Sequence, residues 1–595
     1  MKPTNPNIMK HKINSFKRLL KLTKPHLNKI ILAALCVMIV NAAELLKPYI
    51  LKLVIDDFLI KKVSQDGMYS ISSLGLIYFI LAAIGSLSSF TQVNLINRAG
   101  QEIMKNLRRR VFRTIQFLPL SFLDKTSSGR LITRATNDVE AMSEMYTDVI
   151  ISLFKDVFLL LGIVYAMIAL DVKLALISFS VVPLMFFIIF ILKNKIKKNF
   201  SKMKSLIGRI NGFMAENISG MKFIQIFSGE KEKNDEFLKL NGEYFKSTIF
   251  QVRMNSILRP AADIFQSLAV AIIVWYSMSK IANNTLEIGV LFAFTTYIKQ
   301  FFNPISDLAA NYTTIQSALV SAERIFELLD EEDSLEDLDE GMSIDLQGDI
   351  EFKNVWFSYD NSEWILKNIC FKVNKGETIA FIGETGAGKT TIISLISGFY
   401  KIQQGEILID GININDIKKK DLRKSISVVL QDVFLFSGDI KSNVTLNNDI
   451  SENILMKSLK TTCAFDFVNN LPGGIHAVVM ERGSTFSAGQ KQLISFSRAL
   501  AHSPSIFILD EATSNIDSKT ERIIQTVILE MALNRTTLII AHRLSTIRNA
   551  DKIVVIKHGE IIEIGNHDEL IILGGYYKDM IKGDISVVNQ DKNGM

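Results

Sequence analysis

The sequence predicts two parts of different class: an α-helical membrane domain with about six transmembrane helices and long cytoplasmic extensions, then an α/β domain. Three observations carry this. Apolar residues make up 48% of the 595 residues, and long runs of Leu, Ile, Phe and Val crowd the first half, more than a soluble chain needs. From residue 350 onward short apolar stretches alternate with Gly turns and polar, helix-like segments. Within that second half, Gly383-Glu384-Thr385-Gly386-Ala387-Gly388-Lys389-Thr390 follows an apolar strand (377–382) and precedes a helix-forming run, the strand–loop–helix setting of a phosphate-binding loop.

The candidate spans centre on 30–50, 70–95, 143–170, 174–192, 257–278 and 288–320, each near the roughly 20 residues that a bilayer requires. Connections after the first, third and fifth are short: 61–69, around Asp171, and 279–287. Those after the second and fourth, 97–142 and 193–255, are long, basic and helix-like. Basic loops stay on the cytoplasmic side, so both termini are expected there, in a multi-pass protein of the cytoplasmic (inner) membrane.

The formal net charge of +6 would suit nucleic acid, but Lys and Arg concentrate at 10–29, 98–113 and 193–209, beside apolar runs. That placement points to the lipid bilayer and against nucleic acid. Cys36, Cys370 and Cys463 are far apart in the chain, form no metal or redox spacing, and are expected as buried thiols. Residues 1–24 are polar and basic, without the apolar core of a cleavable leader. Within them 13–22 has the spacing of a short amphipathic helix on the inner membrane surface. The resulting division is a membrane domain at 1–325, an acidic linker at 326–349, a nucleotide-binding domain at 350–585 and a tail at 586–595.

The small residues of the loop let backbone N–H groups wrap phosphates, and the following helix adds the partial positive charge of its N-terminus. Gly383, Glu384, Thr385, Gly386, Ala387, Gly388, Lys389, Thr390 and Thr391 are therefore candidate nucleotide-binding residues, and the loop alone implies a nucleoside triphosphatase. Lys389 is placed to reach the β- and γ-phosphates, and Thr390 to ligate Mg2+. The apolar run 506–509 ends in Asp510-Glu511, which puts two carboxylates at the C-terminal end of a buried strand. Asp510 fits a magnesium-binding role, and Glu511 the base that polarises attacking water.

These residues, followed in order by several others, give the chain a resemblance to the ATP-binding cassette (ABC) transporters that covers nearly its whole length. Phe486-Ser487-Ala488-Gly489-Gln490 resembles the family's signature peptide. The resemblance implies that Tyr359 stacks on adenine, that Gln431 touches Mg2+ and relays to the membrane domain, and that His542 contacts the γ-phosphate. It implies that Ser487, Gly489 and Gln490 close over ATP held by a second subunit, with Ser514-Asn515-Ile516-Asp517 crossing the interface. Glu481-Arg482-Gly483 matches a loop of exporters, although Met480 stands where the family often has Gly. Two passages resemble exporter coupling elements: Phe122-Leu123-Asp124 with Gly129-Arg130, Arg134 and Asn137-Asp138, and Glu216-Asn217-Ile218-Ser219-Gly220 with Ile224, Phe227 and Glu230. Read without the family, both are amphipathic turns with Gly breaks.

The signature departs from the family's Leu-Ser-Gly-Gly-Gln at Phe486 and Ala488, while Glu511 and His542 are retained. The resemblance then implies a heterodimer: a second half-transporter joins this chain's Lys389, Asp510, Glu511 and His542 to a standard signature, and Phe486–Gln490 serves a weaker site. A homodimeric exporter with two equal sites is the alternative. An ATP-gated channel or regulatory subunit shares the motifs, and an importer or a soluble ABC ATPase fits the fused membrane half less well. The expected function is export of an amphipathic or hydrophobic small molecule, lipid or peptide, driven by ATP hydrolysis. Asn41, Glu44 and Lys47 in the first span, and Asp148, Lys155 and Asp156 in the third, are polar groups at membrane depth and so candidates for function. Glu44 and Lys47 sit one turn apart, where they could simply pair.

Overall fold

The computed structural model describes residues 17–19, 21–60, 70–283, 285–331, 339–360, 362–510, 518–533, 535–540 and 547–582. The expected loop at 61–69, the start of the amphipathic helix at 13–16, the middle of the linker at 332–338 and the tail at 586–595 lie outside them. The chain divides into two compact units, Met1–Gln116 with Ser128–Glu332, and Phe117–Ser127 with Asp333–Met595.

The first unit is helical. Its main helices are α1 (Leu27–Leu53), α2 (Ile71–Phe117), α3 (Ile150–Leu170), α4 (Val172–Phe179), α5 (Val182–Ser219), α6 (Met221–Ile226), α7 (Glu230–Ala282) and α8 (Ile288–Asp330). With 47 residues, α2 is about 70 Å long, so a hydrocarbon layer of about 30 Å leaves more than half of it outside. Its side chains mark the change. Phe79, Ile80, Leu87 and Phe90 are exposed, as lipid-facing residues are, whereas Gln92, Ile96, Ala99, Ile103, Leu107, Val111 and Thr114 form a buried seam at spacings of three and four.

Among the described residues, four helices are long and apolar enough to cross a membrane: Lys24–Ile60, Ile71–Phe117, Ser128–Leu170 and Pro260–Ala282. The other two expected spans lie in α4 with the start of α5, and in α8. Ser180 and Val181 part α4 from α5, where Pro183 opens the new helix, and Val172–Met185 is apolar.

The core of this unit is built by α3, α4, α7 and α8, around Ile163, Leu174, Ala269, Phe294, Tyr297 and Phe302. Helix α1 is fastened to it by polar atoms: Tyr297 donates its hydroxyl to the Leu45 carbonyl at 2.6 Å, and Asn41 donates to the Lys155 carbonyl at 3.0 Å. Gly162 of α3 leaves room for the Leu45 side chain, which an added methyl would strike. Asp138, one of the residues in the first coupling-like passage, is buried and accepts a hydrogen bond from Ser321 at 2.7 Å.

The second unit is α/β. Strands β1 (Ile350–Phe357), β2 (Leu366–Val373), β4 (Gln404–Ile409) and β5 (Ile412–Asn413) form an antiparallel sheet in the order β2-β1-β4-β5. Strands β3 (Thr378–Ile382), β6 (Ile426–Val429), β9 (Ile506–Asp510), β10 (Thr536–Ile540), β11 (Lys552–Lys557) and β12 (Glu560–Gly565) form a second sheet in the order β12-β11-β3-β10-β9-β6. A short pair, β7 (Gly438–Asp439) and β8 (Val478–Val479), stands apart.

The second sheet is covered on both faces, because alternate side chains point opposite ways. Ile379, Phe381, Ile506, Ile508, Leu538 and Ile540 join the core shared with β1, β2 and helix α9 (Lys389–Ile396). Ala380, Ile382, Phe507, Leu509 and Ile539 join the core shared with helix α10 (Ala488–Ala501). The thiols correct one expectation. Only Cys36 is buried; Cys370 and Cys463 are exposed. Cys370 falls on the solvent face of β2, out of phase with the buried Ile369 and Phe371.

One carboxylate closes the entry to this unit. Asp410 accepts backbone N–H groups of Gln347, Gly348 and Asp349 at 2.6, 3.0 and 2.8 Å. Asp410→Ala orphans these donors and is expected to destabilise the unit by about 2–3 kcal/mol, read as a lower unfolding temperature of the full chain. Asp410→Asn keeps an acceptor and tolerates the φ of 52°, so it loses less; equal stability of all three proteins would refute the role given to this clamp.

Candidate functional site

The phosphate loop begins where β3 ends and finishes at the first turn of α9. Gly383 leaves β3 at φ 153°, and a side chain there would run into the Ile556 carbonyl. Gly388 takes φ 104° as the residue that opens α9, and no side chain caps the helix. The N-cap residue therefore offers no side chain to the start of α9, a setting suited to an anion. Lys389 is 6% exposed, and its ammonium donates to the Gly383 and Glu384 carbonyls at 2.6 and 3.1 Å. Ala387 and Thr391 are buried, while Glu384, Thr385, Gly386 and Thr390 face solvent.

Strand order sets out the rest of the row. Ile540 of β10 pairs with Phe381 of β3 on one side and with Asp510 of β9 on the other, and Leu509 pairs with Val429 of β6. All four strands run parallel, so the loop after β3, Asp510 and, just beyond β6, Gln431 stand along one carboxyl-terminal edge. Glu511, the run Ser514–Asp517 and His542 lie outside the described residues. Among the described residues no group of three or more His, Cys, Asp or Glu could hold a metal by itself. The donor set of Thr390, Gln431 and Asp510 suits Mg2+, which draws much of its coordination from phosphate oxygens and water.

Tyr359 stands beside the loop with its hydroxyl 3.1 Å from the Thr391 hydroxyl. Gln403 holds its backbone in place, accepting from the Ser358 N–H at 3.0 Å and donating to the Ser358 carbonyl at 2.8 Å. Phe357 and Tyr400 meet the Tyr359 ring edge-on, at centroid distances of 4.8 and 5.0 Å. The Tyr400 hydroxyl donates to the carboxylate of Asp124, in the segment Phe117–Ser127 that belongs to this same unit. Burial and that carboxylate push the Tyr400 hydroxyl pKa up. On the far side of the loop, Tyr576 donates to Glu384 at 2.6 Å, and Lys557 lies 4.4 Å over the Tyr576 ring. The Tyr576 bond, backed by the Lys557 charge, holds the Glu384 carboxyl below the usual carboxylate range.

Ser487, Gly489 and Gln490 sit elsewhere, at the N-terminus of α10. Ser487 accepts from the Gln490 N–H at 3.2 Å, and the Gln490 side chain accepts from the Ser487 N–H at 3.0 Å, a reciprocal cap. Phe486 packs into the core that α10 shares with the sheet, while Ala488, the first helical residue, is exposed. Sequence reasoning missed Tyr400, Gln403 and Tyr576. Each acts across a long chain separation, up to 276 residues for the bond from Tyr400 to Asp124, and none sits in a local pattern that marks it.

Comparison with known proteins follows the same division. The family described as ABC transporter transmembrane region matches residues 30–305, and that described as ABC transporter matches residues 366–514. The putative ABC transporter ATP-binding protein exp8 of Streptococcus pneumoniae is 38% identical over 535 residues, 90% of this chain and 91% of that protein. The ATP-dependent lipid A-core flippase of Syntrophus aciditrophicus is 33% identical over 540 residues, 90% of this chain and 89% of that protein. A solved structure of a bacterial Atm1-family ABC exporter with ATP bound superposes with a TM-score of 0.79 at 26% identity, covering 94% of this chain and 98% of that one. The chain belongs to the ABC transporter family: it is an exporter-type protein with a helical membrane region and an ATP-hydrolysing domain in one polypeptide.

Proposed function

We propose that the chain is one half of a heterodimeric exporter that moves an amphipathic or hydrophobic substrate outward across the cytoplasmic membrane. ATP closes the two ATPase units head to tail, and hydrolysis reopens them, switching the membrane path between its two sides. The observation that carries this reading is the union, in one chain, of membrane-length apolar helices and an anion-ready helix α9.

In this reading the Lys389 ammonium exchanges its carbonyl partners for the β- and γ-phosphate oxygens, and the backbone of 383–390 wraps them. The exposed face of Tyr359, propped by Phe357 and Tyr400, takes the adenine ring. Thr390, Asp510 and Gln431 hold Mg2+, which neutralises phosphate charge. Glu511 orients and deprotonates the attacking water, and His542 steadies the γ-phosphate. Tyr400 touches both Tyr359 and Asp124, so adenine occupancy is passed to 117–127 and, along the chain, to α2. A second coupling element is the reversal between α5 and α7, where Ile218, Phe223, Ile226 and Phe227 are exposed, Phe227 by 79%. Such an apolar turn suits a partner's ATPase unit.

The signature turn favours a partner of different sequence. The Ala488 methyl is exposed where a second subunit's nucleotide must come close. Homodimerisation remains the second reading because the Ser487 hydroxyl, although it accepts from Gln490, keeps its own proton to donate.

Two outcomes test this proposal. Glu511→Gln is expected to leave ATP affinity within about twofold while lowering hydrolysis by about 100-fold or more; retained turnover would remove Glu511 from the base role. Purified alone, the chain is expected to show no substrate-stimulated ATPase in a stable dimer. A stable, stimulated dimer of this chain by itself, measured by light scattering and phosphate release, would exclude an obligate different partner.

A further inference from the structure

The membrane unit holds buried polar atoms that ATP hydrolysis does not use. Asn41 of α1 is 4% exposed and Asp156 of α3 is 5% exposed. Because the Asn41 amide nitrogen donates to the Lys155 carbonyl, which can only accept, the orientation of the amide is settled and its oxygen is left over. That oxygen and Oδ2 of Asp156 are both buried without a hydrogen-bond partner. The Asn41 amide is fastened to the residue next to Asp156.

Helix α8 completes the arrangement. Asn311 donates to the Ser152 hydroxyl of α3 at 2.8 Å, and α3 and α8 run in opposite directions along that contact. One turn onward on each helix, Asp307 of α8 comes level with Asp156 of α3. Gln300 lies on the same face of α8 two turns further on, and its side-chain oxygen is also buried without a partner. Pro304, between Gln300 and Asp307 in α8, removes the N–H that would bond the Gln300 backbone carbonyl. The three helices therefore bring together the buried, unpartnered oxygens of Asn41 and Asp156 and, on α8, the exposed carboxylate of Asp307, with Lys155 next to Asp156 as the near cation. Acceptors buried without donors are unfavourable in a low-dielectric interior, and a paired N–H cation satisfies both their hydrogen bonds and their charge.

We propose that Asn41, Asp156 and Asp307 bind the N–H-donating cationic head of the exported molecule, a protonated primary amine. The assignment rests on the export reading and narrows its substrate class. It separates this ligand from a quaternary ammonium, which brings charge without donors, and from an alcohol, which brings one donor without charge.

The test uses the full-length protein in lipid nanodiscs without nucleotide. Dodecylammonium, dodecyltrimethylammonium and dodecanol are compared by their half-saturating concentrations in a thermal-shift titration, with partition into empty discs subtracted. Dodecylammonium is expected to bind at least about tenfold more tightly than either of the others. Asp156→Asn should reduce that preference to within about threefold, and Asp156→Glu should keep most of it. Asn41→Ala, which removes one neutral acceptor, provides a milder variant and should reduce the preference by about threefold. Equal binding of dodecylammonium and dodecyltrimethylammonium by the wild-type protein overturns the proposal without recourse to any variant. A preference untouched by both Asp156→Asn and Asn41→Ala overturns it as well. Because binding is read without ATP, either result leaves the export reading standing.

Discussion

The ATPase unit depends on one constraint: α9 begins without a side chain to cap it. A helix start normally recruits Ser, Thr, Asp or Asn for its first N–H groups, and α10 does so with Ser487. At α9 the corresponding residue is Gly388, in a left-handed conformation and without a side chain to offer. Around this opening the fold places what a phosphate chain needs. The Lys389 ammonium is buried on carbonyl oxygens of the loop, and Asp510 stands on the same sheet edge two strands away from β3. The contrast between the two helix starts gives them different roles in the proposed cycle. One receives the nucleotide of its own chain, and the other closes over a nucleotide held by the companion.

Much of this was legible because it is local. The Gly383–Thr390 spacing, the apolar strand before it and the strand ending at Asp510 each fit within a short window, and each falls where the pattern placed it. Long-range ties were not legible. Tyr400, Gln403 and Tyr576 look ordinary in sequence, and their partners become visible only when the sheets are assembled. The exposed thiol of Cys370 shows a related limit: a small apolar residue in a strand has two faces to choose from, and the phase of β2 turned it outward.

In the membrane unit the same letters carry opposite meanings along one helix. Apolar residues in the first part of α2 are exposed, as suits lipid, while the later part buries a seam that includes Gln92 and Thr114. Hydropathy reads the first part well and says little about the second, since bundle packing rather than lipid sets the pattern there. Polar residues at membrane depth could be picked out in sequence, Asn41 and Asp156 among them. Their convergence with Asp307 depends on the pairing of α3 with α8, which no single segment encodes.

In the proposed heterodimer the two ATP sites are unequal, and this chain's phosphate loop forms the hydrolysing one. The most direct measurement isolates the assembly from its native membrane, traps it with 8-azido-ATP and orthovanadate, cross-links it by light and resolves its polypeptides. Label confined to this chain, with an unlabelled companion polypeptide of different sequence, is the predicted result. Label shared equally between two polypeptides, or an assembly made only of this chain, would contradict the claim.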